Sequence, residues 1–161
     1  MRRNPGPEIR LRPATADDAT GLTALALRSK GVWGYDRPFL EACKEELTVA
    51  PDAVEARRAV VAVDGSGRAV GFATLEGEPP DGELGMLFVE PDRIGTGVGA
   101  ILWRDAVRRA AALGFRLLRI EADPGAAPFY EAMGARVVGT APSGSIPGRR
   151  LPVLLFDVSL P

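Results

Sequence analysis

The chain contains no histidine. That removes the side chain most often used as a general base near neutral pH, a common zinc ligand, and any serine–histidine–aspartate triad. Chemistry performed here falls to carboxylates, phenols, lysine, cysteine or a bound cofactor, and no metal is expected. Only one cysteine is present, Cys43, so no disulfide forms within the chain and a reducing, cytoplasmic setting is expected. As a nucleophile it would want a basic partner that no histidine can supply, so it reads as helix packing. Net charge is almost nil: 20 basic against 21 acidic residues leave −1, which offers no field for nucleic acid or an anionic membrane. No apolar run approaches the roughly 18 residues that cross a bilayer. Met1 to Pro7 lack the apolar stretch of a signal peptide.

What remains is an ordinary globular balance, with 46% apolar and 25% charged residues in 161. That length suits one domain with a real core. Residues 1–8 read as a leader and 9–161 as a single domain. The periodicity predicts a strand at 9–12 and a helix after Thr15-x-x-Asp18 that runs to about Ser29. A second helix is expected from Pro38 to about Val49. Strands at 59–63, 69–76 and 83–89 follow, separated by Asp64-Gly65-Ser66-Gly67 and by Glu78-Pro79-Pro80-Asp81-Gly82, and form an antiparallel meander. Then come a helix to about Leu113, a strand at 117–122 parallel to 83–89, a short helix at 126–133, and strands at 136–140 and 151–158. The order defines an α/β (α+β) fold: a mixed sheet with helices on its faces.

The most informative segment is the turn from strand 83–89 into the next helix, with Gly95, Gly97 and Gly99 at alternate positions. Glycine lets an anion approach backbone N–H groups closely, and the first N–H groups of a helix have no intrahelical partner. With the helix dipole, these make a place for phosphate. The segment lacks the lysine of a P-loop, and its G-x-G-x-G spacing is not the dinucleotide fingerprint. A plain strand-to-helix turn is the alternative. Some 30 residues on, Asp123-Pro124-Gly125 breaks a strand and a short helix carries Phe129-Tyr130-Glu131-x-x-Gly134. Phe129 and Met133, spaced i to i+4, read as core, whereas a buried Tyr130 wants a polar partner.

Together, the strand–loop–helix 83–113, the strand 117–122 and the Phe129-Tyr130-Glu131-x-x-Gly134 helix resemble the GCN5-related N-acetyltransferase superfamily over about residues 9–158. The resemblance implies a mostly antiparallel sheet whose one parallel strand pair splays into a V, with acetyl-coenzyme A as co-substrate. Its pantetheine arm would lie along Leu87, Phe88 and Val89 like an added strand. Its pyrophosphate would rest on Ile94, Gly95, Thr96, Gly97, Val98, Gly99 and Ala100, with Asp123 and Phe129 further cofactor contacts. Tyr130 would protonate the departing thiolate. The family's pattern Q/R-x-x-G-x-G/A falls on Ile94 at its first position, and Asp123 stands where asparagine is common; an aspartate accepts hydrogen bonds but cannot donate as an amide does.

An ammonium must lose a proton before it attacks. Glu83, early on the bulging strand, is the expected base, and Glu121 is the other candidate. Each reads otherwise as an exposed carboxylate or an ion pair, Glu121 with Arg119 or Arg136. Trp33 and Tyr35 are expected as an aromatic wall for the amine. The activity implied is acetyl transfer to a primary amine of a small molecule. A non-catalytic acyl-CoA-binding module and a peptide or protein N-terminal acetyltransferase are the alternatives. A homodimer is expected as common in such folds.

Overall fold

The computed structural model describes residues 8–159. The leader expected at 1–8 therefore lies outside the described residues except for Glu8. Seven strands form one sheet in the order β1-β2-β3-β4-β5-β7-β6: β1 (Arg10–Pro13), β2 (Val60–Val63), β3 (Ala69–Glu78), β4 (Asp81–Val89), β5 (Leu117–Glu121), β6 (Arg136–Pro142) and β7 (Arg150–Asp157). Every neighbouring pair is antiparallel except β4 with β5.

Strand alternation decides which helix covers which face. Val61, Val63, Phe72 and Met86 point to α1 (Ala19–Gly31) and α2 (Arg37–Leu47), where Leu22, Leu25, Cys43 and Leu47 meet them. On the other face Ala62, Val70, Ala73 and Leu84 pack under α3 (Val98–Leu113) and α4 (Ala127–Ala132), through Leu102, Trp103, Ala106 and Tyr130. Cys43 is buried packing, as its helix position suggests. The expected capping signal at Thr15 closes a short 3-10 turn, Ala16–Asp18, ahead of α1. The Thr15 N–H donates to the Asp18 carboxylate at 2.8 Å. Asp36 caps α2 by accepting from the Phe39 N–H at 2.9 Å, a contact that contributes about 1 kcal/mol.

Several boundaries differ from the periodicity. The β3–β4 connection is only Pro79-Pro80, because Glu78 pairs with Asp81, so β4 begins two residues earlier than expected and Gly82 lies inside it. The last hairpin also extends further at its loop end, with Pro142 pairing to Arg150.

Candidate active site

The β4–β5 contact is short. Only Asp81, Gly82 and Glu83 pair with Leu117, Leu118 and Arg119, and beyond Glu83 the strands diverge. The cause is on the other edge of β4. Thr74 pairs with Met86 and Leu75 with Leu84, so Gly85 has no partner and the strand bulges there. The edge of β4 facing β5 therefore has no strand partner from Leu84 onward.

The glutamate at position 76 occupies the space over the bulge. A Cβ built at Gly85 would lie 1.8 Å from Glu76 Oε2, so any side chain here would displace that carboxylate. That carboxylate is held in place by Arg57, whose Nη2 and Nε donate at 2.8 and 3.1 Å, and by the Thr74 hydroxyl at 2.7 Å. Glu76 is a residue the sequence reading passed over. Counting back from a two-residue Pro79-Pro80 turn would have placed it opposite Glu83, which is its register partner.

The splayed strands enclose two cavities of about 330 Å³ each. One lies between the bulged half of β4, the end of β5 and α2, and is lined by Glu83, Glu121 and Asp123 among others. The second follows the glycine loop, with Ile94, Gly95, Gly97, Gly99, Ala100 and Phe129 in its wall. Ser29, Trp33, Leu87, Ala126 and Tyr130 line both, so the two cavities form one cleft with these residues at its waist.

At the loop end, Gly97 stands before α3 in the left-handed region, at φ 97°. Glycine takes that conformation at little cost. The first bond into the helix is from the Ile101 N–H to the Gly97 carbonyl, at 3.1 Å. The N–H groups of Val98, Gly99 and Ala100 precede it and have no intrahelical acceptor. Arg93, next to the pattern's first position, does not point its guanidinium at the loop: it donates to Asp64 at 2.7 Å and ties the loop to the β2–β3 turn. The Ser66 hydroxyl, first among several donors, holds Asp64 down at about 2. The buried Glu90 carboxylate, at the end of β4, accepts from Arg28 of α1. Loop, β4 and α1 are thereby braced by ion pairs, while Ile94 is exposed on the groove.

At the waist, Tyr130 is buried against Trp103 and Phe129, with ring centroids 5.8 and 5.1 Å away. Among the described residues no protein group hydrogen-bonds its hydroxyl. Burial drives its pKa well above the ordinary phenol value, so it stays protonated throughout the neutral range. This is the polar partner question that the sequence raised, answered by a cleft rather than a side chain.

The other expected residues divide. Leu87 and Val89 line the cleft, Leu87 at the waist and Val89 on the loop side, while Phe88 lines the first cavity only. Glu83 and Glu121 share Arg119, which lies 3.4 Å from Glu83. Trp33 lies across the waist, and a Cβ at Gly125 would fall 2.7 Å from its ring. Tyr35 does not line either cavity. Its ring stacks on Phe39 with centroids 4.0 Å apart, and its hydroxyl donates to Asp123 at 2.8 Å. Burial, then the Asp123 bond, raise the Tyr35 phenol to about 12. Asp123 also accepts from the Gly125 N–H at 2.8 Å and faces Lys30 at 3.1 Å and Arg149 at 3.5 Å. Burial pushes its pKa up, but these donors outweigh it and the carboxyl ends below its ordinary value. Thr96 and Val98 do not line the cleft with their side chains. Among the described residues no metal-binding cluster occurs, and no helix is long and apolar enough to cross a membrane.

Several solved acetyltransferase structures are similar to this fold. The structure of a GCN5-related N-acetyltransferase from Rhodopseudomonas palustris is similar to this chain at TM-score 0.76 and 27% identity, covering 92% of this chain and 94% of that one. The PaiA N-acetyltransferase of Thermoplasma acidophilum, solved in complex with coenzyme A, is similar at TM-score 0.76 and 18% identity over 93% and 99% of the two chains. The putative acetyltransferase YncA of Salmonella typhimurium, solved with acetyl-CoA, is similar at 0.68 and 19% over 95% of each. No curated protein sequence matches the chain. The sequence model of the acetyltransferase (GNAT) family matches residues 25–135, more than half of the chain, and the chain belongs to that family.

Proposed function

We propose that the protein transfers the acetyl group of acetyl-CoA to a primary amine of a small molecule, with the cofactor in the loop-side cavity and the amine in the other. The observation that carries this reading is the position of Tyr130 in the wall of both cavities. The N–H groups of Val98, Gly99 and Ala100 bind the pyrophosphate, and the unpaired edge of β4 at Leu87, Phe88 and Val89 takes the pantetheine amides as an added strand. The thioester then lies at the waist, beneath Trp33.

Glu83 removes a proton from the ammonium, directly or through water. The amine nitrogen attacks the thioester carbonyl, and the oxyanion gathers at the Val89 N–H. The C–S bond breaks as the tetrahedral intermediate collapses, and the thiolate takes the Tyr130 proton. Burial keeps the phenol in the protonated form that this donation requires. The second proton shed by the nitrogen as it becomes an amide returns to Tyr130 through water, and Glu83 releases its proton to solvent. Glu121 serves as a wall of the amine cavity and, by sharing Arg119, sets how much positive charge Glu83 feels. The test is Tyr130→Phe in a coenzyme A release assay: kcat falls about 10²- to 10⁴-fold while acetyl-CoA still binds. Unchanged turnover in this variant would remove Tyr130 from the chemistry.

A further inference from the structure

The wall of the amine cavity specifies the kind of amine, given the acetyl-transfer reading above. Its carboxylates are Glu46, Glu76, Glu83, Glu121 and Asp123, and its cations are Lys30 and Arg57. Those cations are already engaged. Lys30 is 3.1 Å from Asp123 and Arg57 is 2.8 Å from Glu76. The two guanidiniums just behind the wall are engaged as well. Arg149 sits 3.5 Å from Asp123 with its plane over the Tyr35 and Phe39 rings, and Arg119 is shared between Glu83 and Glu121.

The carboxylates are not evenly matched. Where the amine reacts, Glu83 and Glu121 divide one guanidinium, which leaves that end negative. Glu46 of α2, exposed in the cavity wall, has no cation within 4.0 Å among the described residues. It faces the β6–β7 loop, where a Cβ at Gly144 would lie 3.3 Å from its Oε2. An acceptor that brought a carboxylate into this cavity would find every cation taken and would meet Glu46 or Asp123. Such like-charge approach is what excludes wrong partners. An acceptor that brought a second positive charge would find Glu46 unengaged.

We infer that the acceptor is a cation at both ends: one amino group reacts beside Glu83, and a second protonated amino or guanidino group, several bonds away, rests against Glu46. Amino acids with a free carboxylate at that distance are discriminated against. Glu46 is then a specificity-determining residue rather than a catalytic one.

The experiment uses the full chain and three matched series of two to eight carbons: α,ω-diamines, n-alkylamines and ω-amino acids. Acetyl-CoA binding is measured separately by calorimetry. The expected order of kcat/KM at one chain length is diamine, then alkylamine by about tenfold, then amino acid. Glu46→Gln draws the diamine-to-alkylamine ratio toward one, and Glu46→Asp restores part of it. An ω-amino acid that matches the diamine overturns the inference, as does a Glu46→Gln ratio equal to the unaltered protein's. Failure to acetylate any member of the three series, with acetyl-CoA binding intact, overturns the inference and leaves the cofactor reading standing. Absence of acetyl-CoA binding overturns both.

Discussion

At the scale of single residues, two aromatic side chains divide the work that scarcity assigned to them. Of the two tryptophans, Trp103 is buried at 3% exposure and Trp33 is 44% exposed at the waist of the cleft. The proposed cofactor site lies against Trp33, so indole emission is expected to change on titration with coenzyme A, and Trp33→Phe is expected to abolish the change while Trp103 emission persists. A titration signal that survives Trp33→Phe would place the ligand elsewhere. The two tyrosines also separate. Tyr130 presents a protonated hydroxyl to the cleft, whereas Tyr35 spends its hydroxyl on Asp123. The motif around Tyr130 set it apart in the sequence, but Tyr35 was expected to face the amine, and only the packing around Asp123 assigns it to structure. Asp123→Asn keeps the acceptor for Gly125 and Tyr35 but leaves Lys30 and Arg149 without their shared anion. Its expected result is a raised KM for the amine, a small change in acetyl-CoA affinity and a loss of about 1–3 kcal/mol in unfolding free energy.

At the scale of elements, the cleft depends on one bulge. Gly85→Ala pushes the Glu76 carboxylate off Arg57 and Thr74, because the new methyl takes its place. Overpacking of this kind costs about 1–3 kcal/mol in unfolding free energy, and the displaced strand raises KM for acetyl-CoA. Glu76→Gln retains an acceptor for Arg57 and Thr74 and suffers less than Glu76→Ala; equal effects in these two variants would contradict the bracing role. Much at this scale was legible in the sequence. The meander, α3 and the glycine turn announce themselves by period and by glycine spacing, and Gly97 stands where the helix begins. The bulge on strand 83–89 was expected from the family resemblance, but the choice of Gly85 as the residue that loses its partner was not legible. That choice is made by Glu76, nine positions earlier, and by Arg57, which lies outside every strand. The charge state of the amine cavity was hidden for the same reason: its residues come from α1, α2, β3, β4 and β5, and only the fold brings them together.

At the scale of the whole molecule, the absence of histidine shapes the response to pH. No imidazole titrates, so the melting temperature is expected to be flat from about pH 6 to 8. In acid the sign follows from depressed carboxyls. Asp18, held by Arg12, and Asp64 lie at about 2, and Asp123 lies below its ordinary value. Each contributes stability that is full above the ordinary carboxyl range near 4 and drains as pH falls through the folded value. Melting followed by circular dichroism should fall between about pH 4 and 2, and Asp18→Asn should flatten part of that slope. The Arg93–Asp64 ion pair ties this stability to the phosphate loop, so cofactor affinity is expected to weaken over the same acid range. The central claim is that one cleft holds acetyl-CoA with its phosphates on the amides of Val98, Gly99 and Ala100. Calorimetric titration of the full chain with acetyl-CoA tests it most directly. The account predicts saturable one-site binding in the micromolar range, lost when bulk is placed in the loop by Gly99→Val. No heat at millimolar acetyl-CoA, or binding indifferent to Gly99→Val, would contradict it.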